Sequence, residues 1–256
     1  MTAEPARPDP LAAWRPGARD LLGFALLGGA LLVYPWAIDS ALARFGVRPV
    51  AALLLALALL GGAFPLGAAG ARRIDLPRVP GFPGAIALLL AGALATGDVR
   101  CLFLVPSAIY LWLALLAAAS LREPISLIER AARFLQPRAP DFIRSYCRKV
   151  TALWCVFFAA IAATIAWLVA SGADEARRAF SSWGLWLPVG ALSLVEYAVR
   201  KAWFRYYAGG PLDRIWAALL PAENSERGRR SLAYIREARA RMRAEGFTPP
   251  GEAPSR

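Results

Sequence analysis

The sequence contains no histidine, only three cysteines and only two methionines among its 256 residues. Without histidine, the chain cannot build a Ser-His-Asp triad, use an imidazole as general base or hold zinc through an HExxH motif. The three cysteines include no CxxC pair, so they support neither a disulfide framework nor a thiolate zinc site. No compact set of Asp, Glu and Ser residues takes the place of these groups. We therefore expect a protein that is not an enzyme and needs no metal or cofactor.

Acidic residues are also scarce, and charge of either sign is thinly spread. Only 19% of the residues are charged and 58% are hydrophobic, against about 25% and about 45–50% in soluble domains. The 18 acidic residues face 30 basic ones, 28 of them arginine, which gives a net charge of +12. The apolar residues come in long blocks, and the mean hydropathy is +0.44. This composition argues against a soluble domain and indicates a chain that resides in a lipid bilayer.

The long apolar blocks predict six membrane-spanning helices, because crossing a bilayer core takes about 20 apolar residues in helical form. Apolar residues occupy all sides of these segments rather than the single stripe of a surface helix. The expected fold is therefore an all-α, polytopic membrane protein. Its predicted spans are Asp20–Ile38, Val50–Ala69, Phe82–Gly97, Cys101–Leu121, Val150–Ser171 and Trp183–Trp203. The expected domains are a cytoplasmic N-terminal segment (1–19), a transmembrane domain (20–203, including the cytoplasmic loop 122–149) and a basic cytoplasmic tail (204–256).

The positions of the basic residues predict the orientation of the spans. Of the 30 Lys and Arg residues, 25 fall in the N-terminal segment, the second and fourth connections and the tail, and 5 fall in the alternate connections. Cytoplasmic connections carry the excess of Lys and Arg, so both termini are expected in the cytoplasm. The sequence Ala41-Leu42-Ala43 is similar to a signal-peptide cleavage site. Because the polar leader is long and the apolar region is of span length, we expect the first span to be retained.

The fourth connection, Arg122–Lys149, is the most organised polar segment. Within it, Glu123–Leu135 is expected to form a short helix that begins with a Ser126/Glu129 capping box and contains an i,i+4 Glu129–Arg133 pair. With the helical period, one side of this helix is apolar and consists of Ile125, Ile128, Ala132 and Leu135. Glu129, Arg130 and Arg133 lie away from that side. Such a helix is expected to lie in the cytoplasmic interface of the membrane.

Two interpretations of this loop remain open. In the first, its charged residues receive an anionic group, either a lipid phosphate or the acidic surface of a partner. In the second, the loop is a solvated connector whose arginines only enforce orientation. The residues concerned are Glu129, Arg130, Arg133, Arg148 and Lys149.

The tail contains two amphipathic segments. Pro211–Leu220 is short and suited to lying on the membrane, and Asn224–Gly246 predicts a basic helix whose arginines surround an apolar side. Anionic lipid attracts such arginines by about 1 kcal/mol each near the surface. Nucleic acid is the competing partner, but no aromatic platform or recognised nucleic-acid-binding fold accompanies this segment. We therefore expect anionic membrane lipids as partners, and no nucleic acid.

A carboxylate inside a predicted span is costly and is therefore a functional candidate. Glu196 lies about two turns inside the cytoplasmic end of the sixth span, next to Tyr197 and one turn before Arg200. It either forms an intrahelical pair with Arg200, pairs with Arg148 or Lys149 of the fifth span, or binds a cationic or protonatable substrate. Polar groups inside the spans are otherwise expected to bond from helix to helix: Ser107, Tyr110, Thr151, Thr164, Ser193 and Tyr197.

Three stretches in the second half of the chain carry a resemblance to a known family. They are Pro124–Arg133; Tyr146–Thr151 with Trp154, Phe157 and Phe158; and Glu196–Tyr197 followed by Arg200–Lys201. From Asp98 to Lys201 the chain resembles a family of small bacterial inner-membrane proteins. These proteins are encoded beside acyl carrier proteins, AMP-ligases and acyltransferases in fatty-acid-like and aryl-polyene gene clusters. The chain departs from the family pattern at Ile161, where the family has Asn, and at Gly184–Trp186, where the family has a polar pair.

The resemblance implies a multi-pass protein of the bacterial inner membrane that supports the synthesis, placement or movement of an acyl or polyene lipid. The expected role is that of a non-enzymatic accessory protein. Its basic cytoplasmic face would recruit acidic soluble partners such as acyl carrier protein or other lipid-synthesis enzymes. The alternatives left open are a transporter or flippase for a lipid-like product, acting through Glu196 alone or as a homodimer, and a septation or envelope protein.

Reporter fusions test the predicted orientation. Green fluorescent protein fused after Leu135 or Ala244 should be fluorescent, and alkaline phosphatase fused at the same points should be inactive, because both points are expected in the cytoplasm. Fusion points after Gly97 and Gly172 should give the opposite pattern. Active phosphatase after Leu135 would contradict the predicted topology.

Overall fold

The computed structural model describes residues 37–63, 82–135, 140–180, 184–205 and 211–244, and every regular element within these ranges is helical. The predicted all-α fold class is therefore confirmed for this part of the chain. The first predicted span, Asp20–Ile38, lies outside the described residues except for its last two, which belong to a helical segment at 37–45. The chain divides into two compact units, 1–185 and 186–256, so the sixth predicted span belongs to the same unit as the tail.

The labelled helices of the first unit are α1 (Val47–Ala63), α2 (Phe82–Thr96), α3 (Val99–Arg122), α4 (Leu127–Leu135), α5 (Arg144–Ser171) and α6 (Asp174–Ala179). A 3₁₀ turn at Asp141–Ile143 leads directly into α5. The second unit contains α7 (Trp186–Phe204), α8 (Pro211–Leu219), a 3₁₀ turn at Ala222–Asn224, and α9 (Glu226–Ala244).

Two helices among the described residues are long and apolar enough to cross a membrane. They are α3, with 24 residues, and the 31-residue run Asp141–Ser171, which contains α5. The apolar parts of α1 and α2 are shorter, Val47–Leu59 and Gly84–Thr96. The helix α5 begins six residues before the predicted start at Val150, because the polar first turns continue the helix beyond the apolar block.

The helices α3 and α5 pack against each other as an antiparallel hairpin, which three side chain-to-backbone hydrogen bonds hold in register. The Ser107 hydroxyl donates to the Ala162 carbonyl at 2.8 Å, the Cys155 thiol donates to the Ala114 carbonyl at 3.3 Å, and the Arg148 guanidinium donates to the Leu121 carbonyl. The three bonds recur every seven residues along both helices, which is the spacing of a heptad seam. Small buried residues along this seam let the two backbones approach closely: Ala114, Ala117 and Ala162.

The helices α1 and α2 extend this packing through an apolar cluster shared with α3. Its buried members are Val50, Ala51, Leu90, Ala93, Leu102 and Val105. The turn from α2 to α3 passes through Gly97 with a φ of 75°, a conformation that glycine adopts without steric cost. Asp98 then caps α3 by accepting a hydrogen bond from the Arg100 backbone N–H at 2.9 Å. After the end of α5, the Arg177 guanidinium of α6 lies 3.4 Å from the centre of the Phe103 ring of α3.

In the second unit, α9 folds back onto the end of α7. The Ser231 hydroxyl is fully buried and donates to the Phe204 carbonyl at 2.7 Å, and the Arg227 guanidinium lies 3.8 Å from the centre of a Trp203 ring. Ser225 caps α9 by accepting from the Gly228 backbone N–H at 3.0 Å. Gly228 itself packs against the backbone of Ala222, so that an added Cβ would lie 2.8 Å from the Ala222 carbonyl carbon and collide with its oxygen.

Replacing this glycine tests the fold of the tail. Gly228→Ala should destabilise the packing of α9 on the 3₁₀ turn by about 1–3 kcal/mol, because backbone atoms must move to admit the methyl group. Faster limited proteolysis within residues 220–244 would report the change. The matched control is Gly190→Ala in α7, where nothing lies within 4 Å of the added Cβ. Equal proteolysis of the two variants would contradict the close contact at Gly228.

Candidate functional site

The predicted loop site lies where α4 meets the last turn of α3 and the first two turns of α5, a region we call the α4 junction. Four polar side chains are fully buried there: Ser120, Ser126, Glu129 and Thr151. Together with Ser231 of the second unit, they are the largest fully buried side chains among the described residues. The most tightly enclosed part of the hairpin is therefore a polar junction at its end, and not its apolar middle.

The first turn of α4 is capped by hydroxyl groups from the two neighbouring helices. The Leu127 backbone N–H donates to the Ser120 hydroxyl of α3 at 3.0 Å, and the Ile128 backbone N–H donates to the Thr151 hydroxyl of α5 at 3.2 Å. The first N–H groups of any helix lack partners within the helix, so these two bonds satisfy groups that would otherwise be orphaned. They also connect α4 to both helices of the hairpin.

The capping box predicted for Ser126 and Glu129 is wrong. Among the described residues, neither the Ser126 hydroxyl nor the Oε2 atom of Glu129 has a hydrogen-bond partner. Ser126 contributes its backbone carbonyl instead, which accepts from the Arg130 N–H at 2.9 Å. The physical reason is tertiary: Ser120 and Thr151 are close enough to take the N–H groups at the start of the helix, and the Glu129 carboxylate turns towards arginines.

Glu129 is paired as predicted, but its surroundings differ from the prediction. Its Oε1 atom lies 3.0 Å from Arg133, which confirms the i,i+4 pair, and 3.5 Å from Arg144 at the start of α5. The helical period placed Glu129 on the polar side of α4, yet its side chain is completely buried. A buried carboxylate needs charged partners and hydrogen bonds to offset its desolvation, and the two guanidinium groups supply them.

Arg133 links α4 to the entry of α5. Besides Glu129, it pairs with the Asp141 carboxylate of the 3₁₀ turn at 2.9 Å. The hydrogen bond to Asp141 is the main reason that the pKa of Arg133 lies above its usual value, and the bond to Glu129 adds to it. Because Asp141 is 90% exposed, water screens this second pair and its contribution to stability is small.

Arg130 and Arg148 face the protein rather than an outside anion. Arg130 pairs with the Glu123 carboxylate and also donates to the Ile125 carbonyl at 3.2 Å. Arg148 donates to the Leu121 and Glu123 carbonyls at the end of α3, the second at 3.0 Å. The last carbonyls of a helix lack partners within it and carry partial negative charge, so a cation at this position satisfies them.

Exposed cations remain around the junction. Six basic residues lie there among the described positions, against the acidic residues Glu123, Glu129 and Asp141, so the junction keeps a net positive charge. Arg122, Arg144 and Lys149 are exposed, and Arg144 is 51% exposed at its side chain although it also faces Glu129. Of the five residues predicted to bind a partner or anionic lipid, Lys149 is exposed, Arg130, Arg133 and Arg148 are partly exposed, and Glu129 is buried.

The predicted intramembrane set lies on α7. Glu196 is mostly buried and lies 3.6 Å from Arg200 one turn later, so the intrahelical pair is present. The Tyr197 ring lies 5.9 Å from the Arg200 guanidinium and 5.7 Å from the Lys201 ammonium. A role for Glu196 in binding a substrate stays a prediction.

Several residues of the site could not be assigned roles from the sequence. The helix-to-helix bond predicted for Thr151 is confirmed, but no local pattern predicts that it caps α4, nor the role of Ser120 or the Lys201–Asp213 ion pair between α7 and α8. The sequence signal that could have indicated Ser120 and Thr151 is the position of their hydroxyl groups at the ends of apolar blocks.

Within the part of the chain that the structure describes, no three Cys, Asp or Glu side chains come together as they would around a metal ion. Comparisons of the chain with protein families, curated proteins and solved structures found no match.

The capping role of Thr151 can be tested by removing its hydroxyl. Thr151→Val should destabilise the α4 junction by about 1–2 kcal/mol, because the Ile128 N–H loses its partner. Amide hydrogen exchange across residues 127–130 should become about tenfold faster. Thr151→Ser keeps the hydroxyl and should restore slow exchange. Thr164→Val is the control, since the Thr164 hydroxyl donates within its own helix to Ala160 at 2.9 Å. Unchanged exchange in Thr151→Val would show that the hydroxyl does not cap α4.

Proposed function

We propose that this protein is a multi-pass protein of the bacterial inner membrane with six spans and both termini in the cytoplasm. We further propose that it is a non-enzymatic accessory to acyl or polyene lipid synthesis, and that its basic face recruits an acidic soluble partner of the acyl carrier type. The observation that carries the proposal is the combination of an apolar, outward-facing hairpin with a net-positive polar junction at one end.

The exposure of the hairpin supports a membrane environment. Only 33% of the apolar stretch of α3 and 28% of that of α5 is buried inside the protein, whereas a core helix of a soluble protein is mostly buried. Large apolar side chains face outwards along both helices, including Leu111 at 50%, Val156 at 70% and Trp167 at 66% exposure. A bilayer is the surrounding in which such side chains are favourable.

The charge of the α4 junction supports recruitment of an acidic partner. Arg122, Arg144 and Lys149 are the exposed cations of the junction, whereas Arg130 and Arg148 are only partly exposed, so the first three meet a partner first. A cluster of one sign speeds encounter with a partner of the opposite sign and makes binding sensitive to salt. The family resemblance supports the carrier type of partner, because similar proteins are encoded beside acyl carrier proteins.

Reversing the charge of two exposed cations tests recruitment. The double variant Arg122→Glu, Lys149→Glu should weaken capture of purified acyl carrier protein by about tenfold or more at low salt, because both side chains are exposed cations of the junction. Binding to the full-length protein in nanodiscs would be measured at several salt concentrations.

The matched control reverses two exposed arginines near the other end of the hairpin, Arg44→Glu and Arg100→Glu. In each double variant one residue lies at a helix C-terminus (Arg122 or Arg44) and the other lies in the first two turns of a helix (Lys149 or Arg100), so the helix-dipole effects of the two variants are matched. The control should bind the carrier normally. Normal capture by the Arg122/Lys149 variant, equal loss in the control, or no capture by the unmodified protein would each contradict the proposal.

A further inference from the structure

The short helix α8 buries a charged residue and exposes two large apolar residues. Its charged residue Asp213 points inwards, with a side chain only 10% exposed, and pairs with Lys201 of α7, which is 15% exposed. Two of its large apolar residues, Ile215 and Leu219, point outwards, at 57% and 69% exposure, while Trp216 is partly buried. Surface helices of soluble proteins bury the apolar side and expose the polar one.

Both ends of α8 are attached to the last turns of α7. At its start, Asp213 pairs with Lys201; just after its end, the Pro221 carbonyl accepts from the Arg205 guanidinium at 2.7 Å. Arg205 is held in a left-handed conformation, with a φ of 48°, while its N–H still donates to the Lys201 carbonyl at 2.9 Å. These two contacts hold α8 with Asp213 facing inwards and Ile215 and Leu219 facing outwards.

The outward direction follows from helix geometry. At about 100° per residue, Ile215 and Leu219 lie roughly 200° and 240° around the helix from Asp213. They therefore form a ridge directly opposite the anchoring ion pair. Arg214, which is exposed, lies between the anchored side and this ridge.

The occupant that fits this ridge is lipid. Two apolar side chains are far too few for a stable protein interface, which takes roughly 20–30 residues on each side. The neighbouring helix α7 also exposes apolar side chains in the turns before Lys201, namely Leu194, Val195 and Val199.

We propose that α8 is an interfacial anchor that inserts Ile215 and Leu219 among the lipids around the cytoplasmic end of α7, while Lys201 and Arg205 fix its orientation. This inference rests on the proposed membrane location of α7. It assigns to α8 a lipid contact that the recruitment of a soluble partner neither requires nor explains.

Nitroxide labels on the full-length protein in phosphatidylethanolamine–phosphatidylglycerol vesicles test the proposal. Labels would be placed one at a time at Ile215→Cys, Leu219→Cys, Arg214→Cys and Glu223→Cys, in a background in which the three native cysteines are replaced. Collisions with oxygen should exceed those with a water-soluble nickel chelate at 215 and 219. The order should reverse at 214 and 223, which are exposed polar positions.

The same measurements show whether water or protein, and not lipid, contacts the ridge. Frequent nickel collisions at 215 and 219 would place the ridge in water, and few collisions with either reagent would place it against protein; both results overturn the inference. A further label at Val156→Cys in α5 separates this failure from that of the proposed function. Lipid at 156 with water at 215 rejects only the α8 anchor, whereas water at 156 rejects the membrane location itself.

A second measurement avoids the cysteine replacements. A photo-crosslinking amino acid at position 215 of the chain with its native cysteines should yield phospholipid adducts by mass spectrometry. The same group at position 223 should yield several-fold fewer. Equal adduct levels at the two positions, or none at 215, would overturn the anchor.

Discussion

The backbone groups at the ends of α3 and α4 impose the constraint on which the first unit depends. An apolar helix satisfies its own hydrogen bonds except at its two ends, where donors and acceptors are left over. Here Ser120 and Thr151 supply acceptors to the start of α4, and Arg148 supplies donors to the end of α3. These three side chains come from both helices of the hairpin, so the loop helix is fixed to the hairpin by the same bonds that complete the helix ends.

This constraint explains why the arginines in the loop have two roles, one in the predicted orientation and one in bonds within the protein. Their number is the basis of the predicted cytoplasmic location, and the orientation prediction needs nothing more from them. In the structure, Arg130, Arg133 and Arg148 also form specific internal bonds, to Glu123, Glu129 and the carbonyls of α3. The cations that remain exposed, Arg122, Arg144 and Lys149, are a different subset. A binding surface at this end therefore has to be built mainly from the cations whose side chains stay exposed.

Local features of the fold could be predicted from the sequence, and features set by tertiary contacts could not. The spans Cys101–Leu121 and Val150–Ser171 correspond to α3 and α5, because apolar block length determines helix position. The Glu129–Arg133 pair and the interhelical bond of Ser107 follow from helical spacing and from the need of a buried hydroxyl for a partner. The capping of α4 and the burial of Glu129 depend on residues 7 to 23 positions away, which a local pattern does not reveal.

The hairpin seam has a consequence for how α3 and α5 find their alignment. Every residue carries a carbonyl, so the Ser107 and Cys155 bonds could re-form if one helix slid along the other by a full heptad. Arg148 cannot follow, because only the final turn of α3 leaves carbonyl oxygens without a partner in the helix. The two neutral bonds are thus compatible with several registers of the two helices, and the Arg148 guanidinium selects one of them.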